Sequence, residues 1–407
     1  MDKRWSLFEG FGVEIEYMIV DAKTLSVRPI ADELLRSLAG DVVSEVELGP
    51  ICWSNELALH VIELKSNGPA TDLPKLAGEF AAQVTNANDA LQSLGSRLMP
   101  GGMHPWMNPD TEMKIWPHEY NIVYQTYDRI FNCHGHGWAN LQSTHLNLPF
   151  ANDEEFARLH AAIRLLMPIL PALAASSPIA DRRVKGPLDY RMQVYNSNSA
   201  RIPSVTGKVI PEQVYSESDY DRDIMQPLFR DIAPHDPEGV LQHPFMNARG
   251  AIGRFDRGAI EIRIVDAQEC PQADLAIVAF EVEVLKGLVE EKWCDFQTQS
   301  DFSTDTLAAL LQCTIVAAEQ TVFDDENYLR AFGITESKIS ARELCAQLIS
   351  ATELNNSPWS KSLEHIQQQG PLARRILSSV GSEFDTRLEE TYRDLCDCLQ
   401  NNEQFHA

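Results

Sequence analysis

Between residues 12 and 20, Val13, Ile15, Tyr17 and Ile19 alternate with Glu14 and Glu16. A period of two is the period of a strand, so this segment buries one face and points both carboxylates from the other. Like charges held side by side repel, and the arrangement requires something positive between them. Residues 259–266 repeat the device: Ile260, Ile262 and Ile264 share one face, while Glu261 and Arg263 share the other. His145 and Asn147 are also two apart and point together, with Leu146 and Leu148 turned to the core. A chain with such strands needs a sheet with one buried and one open face, and its polar side chains converge on the open one. Oxygen donors joined by one imidazole suit magnesium or manganese; zinc prefers thiolates or several histidines.

Strand patterns lie at about 12–20, 42–49, 56–66, 138–148 and 258–266. Helical patterns lie at about 71–95, 118–132 and 152–174, the last opened by the capping run Asn152-Asp153-Glu154-Glu155. The half-polar strands predict an α+β fold: a curved, mainly antiparallel sheet with one open face, backed by helices. Beyond Pro271 the pattern is helical, at about 272–293, 304–319, 339–353, 372–380 and 383–399. The expected organisation is a catalytic domain over residues 1–272 and a helical extension over 273–407 packed on it. One residue resists this geometry. Glu56 stands seven before Glu63, an odd interval that turns the two to opposite faces of a straight strand unless a bend re-aims one of them.

Lys and Arg number 34 against 59 Asp and Glu, a net charge of -25 that repels nucleic acid and anionic membranes. The apolar run near Leu165–Ala175 is broken by Pro168 and Pro171, and residues 1–10 lead straight into the first strand. A cytoplasmic protein with small-molecule substrates is expected, its oligomeric state left open. The eight cysteines show no paired zinc spacing and read as free thiols. Between Pro178 and Pro237 the chain reads as irregular, with Arg182, Arg183, Lys185, Arg191, Arg201 and Lys208 forming a basic cluster that invites an anion.

Taken in order, the segments resemble the glutamate-cysteine ligase superfamily, ATP-dependent carboxylate-amine ligases similar to the catalytic domain of glutamine synthetase. The resemblance rests on Phe11-Gly12-Val13-Glu14-Ile15-Glu16-Tyr17, the run from Glu56 to Leu64, His145-Leu146-Asn147-Leu148, Leu173-Ala174-Ala175-Ser176-Ser177-Pro178, Tyr190-Arg191-Met192, and the run from Gly258 to Asp266. It implies ATP and Mg2+ or Mn2+ as cofactors. By this resemblance Glu14, Glu56 and Glu63 hold one metal, while Glu16, His145 and Glu261 hold another near the phosphates. Asn147, Arg254 and Arg263 are the expected nucleotide-side residues. Arg263 and Arg191 are the expected catalytic guanidinium groups, Arg191 on the amino-acid carboxylate. The Asn147 form and the Leu-x-Ala-Ser-Ser-Pro run belong to different branches, so the acceptor amine does not carry over.

The activity implied is formation of gamma-glutamylcysteine through a gamma-glutamyl phosphate. The alternatives are a ligase of the same fold joining another acid or amine, a metal-dependent guanidino kinase, and a regulatory pseudoenzyme. Blander readings stand beside several residues. Glu-x-Glu is often a solvated sheet face, and Arg263 beside Glu261 is also an ordinary same-face ion pair. His134-Gly135-His136 reads as a loop before a metal hook. Ser176-Ser177 lacks the elbow of a serine hydrolase, and residues 250–258 lack the ending of a P-loop. His104-Pro105-Trp106 is expected at the pocket rim.

Overall fold

The computed structural model describes residues 4–407. Its main sheet has eight strands: β1 (Gly12–Asp21), β2 (Glu45–Leu48), β3 (Ile51–Asn55), β4 (Val61–Ser66), β5 (Ser96–Met99), β6 (Ser143–Pro149), β7 (Ala251–Arg254) and β8 (Ala259–Asp266). They run in the order β2-β3-β4-β1-β6-β8-β7, with β5 pairing the end of β1, and every pairing is antiparallel. The alternation of β1 is realised directly: Val13, Ile15, Tyr17 and Ile19 are fully buried in the main core.

Helices Leu73–Gln92, Asp153–Leu166 and Pro271–Val289 cover that buried face and pack on one another. Their starts follow from local chemistry. Asp72 accepts from the Lys75 amide and Asn152 from the Glu155 amide, each satisfying a donor that the first turn leaves free. The helix expected over 152–174 ends at Leu166; a 3-10 turn over Met167–Ile169 and a short helix over Pro171–Ala174 replace its second half. Each of these pieces carries a proline near its start, where a missing amide costs nothing. Helices beyond Pro271 share the main core, which reaches Leu399.

Three expectations are corrected. The strand read over 56–66 begins only at Val61, as β4; residues 56–60 form a turn that joins it to β3, which ends at Asn55. The strand read over 138–148 begins only at Ser143, because His136–Ala139 form a helical turn. The irregular stretch 178–237 contains helices Tyr190–Asn198 and Gln226–Ile232, too short to display a periodicity.

The other sheet face is roofed by a second apolar cluster built from residues 107–139 and 202–246, including Met107, Tyr127, Ile130, Ile202, Leu228 and Met246. The space between this roof and the open face of the sheet is the main cleft of the molecule.

Within the backing layer, Glu281 is an exception among apolar neighbours. It is 1% exposed, its Oε2 has no partner, and burial pushes its pKa up to about 8. The folded chain therefore holds a proton that the unfolded chain releases near the ordinary value of 4.5, so stability falls as pH rises between those values and levels off above about 8. Glu281→Leu is expected to remove that slope. Thermal melts from pH 5 to 9 should show its advantage over wild type growing to the order of a few kcal/mol. A constant difference across the range would mean that the carboxyl is hydrated.

Candidate active site

Backbone register decides which acids meet. β1 lies between β4 and β6, with Glu16 opposite Glu63, and Glu14 opposite Lys65 on one side and His145 on the other. β8 continues beyond β6 and sets Glu261 opposite Asn147. With alternate residues facing the same way, Glu14, Glu16, Glu63, Lys65, His145, Asn147, Glu261 and Arg263 all line one cleft of about 1220 Å³. Glu56 joins them because it leads the turn after β3, which re-aims its side chain away from the parity of a straight strand.

Potential ligand atoms of Glu14, Glu63 and His145 lie within 4.8 Å of one another, as do those of Glu16, Glu56 and Glu63. These sets differ from the expected grouping: Glu16 stands near Glu56, His145 stands near Glu14, and Glu63 is common to both, the β1–β4 register bringing Glu16 to Glu63 and the β1–β6 register bringing Glu14 to His145. Glu261 is instead engaged by guanidinium groups: Arg254 Nη1 at 3.2 Å, Arg263 Nε at 3.1 Å and a closer contact from Arg263 Nη2. Its remaining tie to the cluster is His145 Nδ1 at 3.7 Å from a carboxylate oxygen.

The neighbours orient these ligands. Ser143 donates its backbone amide and hydroxyl to Glu16 at 2.7 and 3.0 Å, and its hydroxyl also meets His145 Nε2 at 2.8 Å. Ser54 donates to Glu63 at 2.7 Å and Asn147 Nδ2 to Glu14 at 3.0 Å. Burial, reinforced by the Glu14 charge, pushes Glu63 up to about 7. Burial likewise raises Glu14, with help from Glu261, and raises Glu56 far above the carboxylate range, with help from Glu63 and Glu16. Burial raises Glu16 against the opposing pull of His145. Glu261 differs: burial acts upward, but Arg263, His145 and Arg254 together bring it down to about 2. Acids crowded beyond what Lys65 neutralises, with donor atoms converging, fit a hard divalent cation.

Arg191 reaches the cleft from the first turn of helix Tyr190–Asn198. It is 1% exposed and its Nε is bound to Asp266 at 2.5 Å. Asp266 also accepts from the Ser176 amide at 2.9 Å and the Ser177 hydroxyl at 2.7 Å. The two serines thus hold the carboxylate that holds the arginine, in keeping with the reading that they are not nucleophiles. Other members of the basic cluster are occupied elsewhere, Arg182 by Glu389, Lys185 by Asp181, Lys208 by Asp305 and Arg201 by the Ile130 carbonyl, while Arg183 is exposed in a short strand away from the cleft. His136, which opens the helical turn His136–Ala139, bonds Asp181 at 2.9 Å, away from the acids. His104 and Trp106 are not at the rim; His104 Nε2 bonds the Leu25 carbonyl and Trp106 packs edge-on against Tyr392.

Two features of the site are missing from the sequence reading above. Lys65 stands two residues after Glu63 on the same strand face, a spacing visible in the sequence that points to it. The aromatic side chains Tyr124, Tyr127, Trp138, Tyr195 and Phe245, which form one wall of the cleft, come from three separate segments with no local pattern.

Comparison with known proteins agrees with this architecture. The family model for glutamate-cysteine ligase family 2 (GCS2) matches residues 10–393. A protein of Archaeoglobus fulgidus described only as uncharacterized is 31% identical over 396 residues, 97% of this chain and 99% of its own length. A Nocardioides protein named "Putative glutamate--cysteine ligase 2-1" is 25% identical over 73% of this chain and 72% of its own. Among solved structures, the glutamate-cysteine ligase of Francisella tularensis in complex with AMP superposes with a TM-score of 0.60 at 13% identity, covering 98% of this chain and 90% of that one. A bifunctional glutathione synthetase from Pasteurella multocida gives 0.57 at 13% identity, covering 97% and 52%. These likenesses show a shared fold, and the family match spans nearly the whole sequence. The chain belongs to glutamate-cysteine ligase family 2 and is a carboxylate-amine ligase.

Proposed function

We propose that the protein joins glutamate to an amine at the expense of ATP, making a gamma-glutamyl amide, with cysteine the acceptor suggested by the names of its relatives. The observation that carries this reading is the convergence of Glu14, Glu16, Glu56, Glu63 and His145 on the open face of an antiparallel sheet. The AMP complex of the Francisella relative supports a nucleotide in the same fold. Family membership favours ligation over a guanidino kinase.

A carboxylate has no leaving group at neutral pH, so its oxygen first attacks the terminal phosphorus of ATP and ADP departs. The amine then attacks the acyl carbonyl and loses a proton as phosphate leaves. The chain's task is to hold three reactants together and to screen charge. Divalent cations held by the two acid sets would neutralise polyphosphate oxygens. Arg191, fixed by Asp266, is the proposed partner of the amino-acid carboxylate, and Arg263 is proposed to face the transferring phosphoryl group. Asn147 orients Glu14, and Arg254 steadies Glu261.

Release of phosphate and ADP is expected only when glutamate, an amine and Mg2+ or Mn2+ are all present. A coupled phosphate assay with mass detection of the product tests this. Equal turnover in excess chelator would end the metal reading, and phosphate release independent of the amine would end the ligase reading.

A further inference from the structure

Among the described residues, Lys65 is the one Lys or Arg at ion-pairing distance from any of Glu14, Glu16, Glu56 and Glu63. Arg254 and Arg263 are bonded to Glu261, and Arg191 to Asp266. Lys65 shares a face of β4 with Glu63, and its Nζ lies 3.5 Å from Glu63 Oε2. The same Nζ lies 3.5 Å from Oε2 of Glu45, on the edge strand β2. One ammonium is thus held equally between two carboxylates.

Those carboxylates differ in setting. The Glu63 side chain is 8% exposed and belongs to both acid sets, whereas the Glu45 side chain is 57% exposed and belongs to neither. Ser54 stands opposite Glu45 across one pairing and opposite Glu63 across the next, so a single strand separates the two acids. A positive charge beside the buried acid counts for far more than one beside the exposed acid, where water already screens it.

A divalent cation on Glu63 would share that carboxylate with the Lys65 ammonium. Positive charges held so close repel strongly where the effective dielectric is low. Lysine can respond, because its charge is a point on a flexible four-carbon stem and its side chain is 29% exposed. A short swing takes the ammonium from Glu63 to Glu45, both of which line the cleft. An arginine fork would be tied to one carboxylate by its planar geometry.

We infer that Lys65 is a built-in counter-charge of the acid cluster, which a divalent cation drives from Glu63 onto Glu45. It holds like-charged carboxylates together before the ion binds, and by competing with the ion it sets how tightly the site takes a bare cation. This rests on the metal reading of the two acid sets and goes beyond it by naming the residue that tunes their affinity.

The test titrates the full-length chain with Mg2+ or Mn2+ alone, by calorimetry, and melts it in chelator. Lys65→Met should lower Kd for the ion by roughly tenfold. It should also lower the melting temperature in chelator by on the order of one or two °C, since the acids lose their counter-charge. Lys65→Arg keeps the charge and should keep both values near wild type. Glu45→Gln should raise Kd, and should do so much less once Lys65 is methionine, because the seat it removes is then unused. An unchanged or higher Kd in Lys65→Met, or an arginine variant that behaves like the methionine one, would overturn the inference while leaving the metal centre in place. Equal effects of Glu45→Gln in both backgrounds would overturn the displacement onto Glu45. Absence of saturable Mg2+ and Mn2+ binding in wild type and every variant would remove the metal reading and this inference with it.

Discussion

Glu63→Ala is expected to lower turnover by on the order of a thousandfold while raising the melting temperature of the metal-free protein. Both effects have one source. Glu63 lies opposite Glu16 across the β1–β4 pair and belongs to both acid sets, so its loss breaks both. In the absence of a cation that position is unfavourable: burial and Glu14 push its pKa up to about 7, above the ordinary 4.5. The folded state thus keeps a proton that the unfolded chain gives up, and metal-free wild type loses stability as pH rises from about 4.5 through about 7. Alanine removes that slope along with the ligand. Melts in chelator and in Mg2+ are the measurement. Wild type should gain stability from the ion by mass action, and the variant should be higher in chelator but gain little. Near-normal turnover, or an unchanged response to Mg2+, would show Glu63 to be outside the centre.

How much of this was legible beforehand follows from what each residue depends on. Glu14, Glu16, Glu261 and Arg263 were readable because a strand with one buried face writes its parity into the sequence. Asn152 was readable because a cap is a local event. The grouping of ligands was not, since it depends on strand register: Glu16 meets Glu63 and Glu14 meets His145 through pairings between residues far apart in the chain. Glu56 failed a parity rule that assumed one continuous strand where residues 56–60 form a turn. The boundary at 138 was misplaced because Trp138 and Ala139, though apolar, close a helical turn under the roof. The aromatic wall was invisible for a similar reason. Its rings are ordinary hydrophobic residues in sequence and become a surface only when the roof folds over the sheet.

Asp266→Ala is expected to be the most destabilising substitution in the cleft, at about 3–5 kcal/mol. Asp266 is fully buried and accepts from Arg191, the Ser176 amide and the Ser177 hydroxyl, so its removal strands a buried guanidinium and two further donors. The carboxylate is packed closely against Gly102, where a Cβ would come within 2.6 Å of its carboxyl carbon. Beside it, burial and the Asp266 charge push the Asp189 carboxyl well above its usual range. The energy in question belongs to the pair, and a cycle can isolate it. Arg191→Met alone should also be costly, since it leaves the Asp266 carboxylate without its cation. The double variant Asp266→Ala, Arg191→Met should be less destabilised than the sum of the singles by about 1–3 kcal/mol, as coupled neighbours are. Denaturant midpoints provide the comparison. Strict additivity would mean that Arg191 is held by helix Tyr190–Asn198 and not by Asp266, and the role of Asp266 in positioning the proposed carboxylate-binding arginine would be lost.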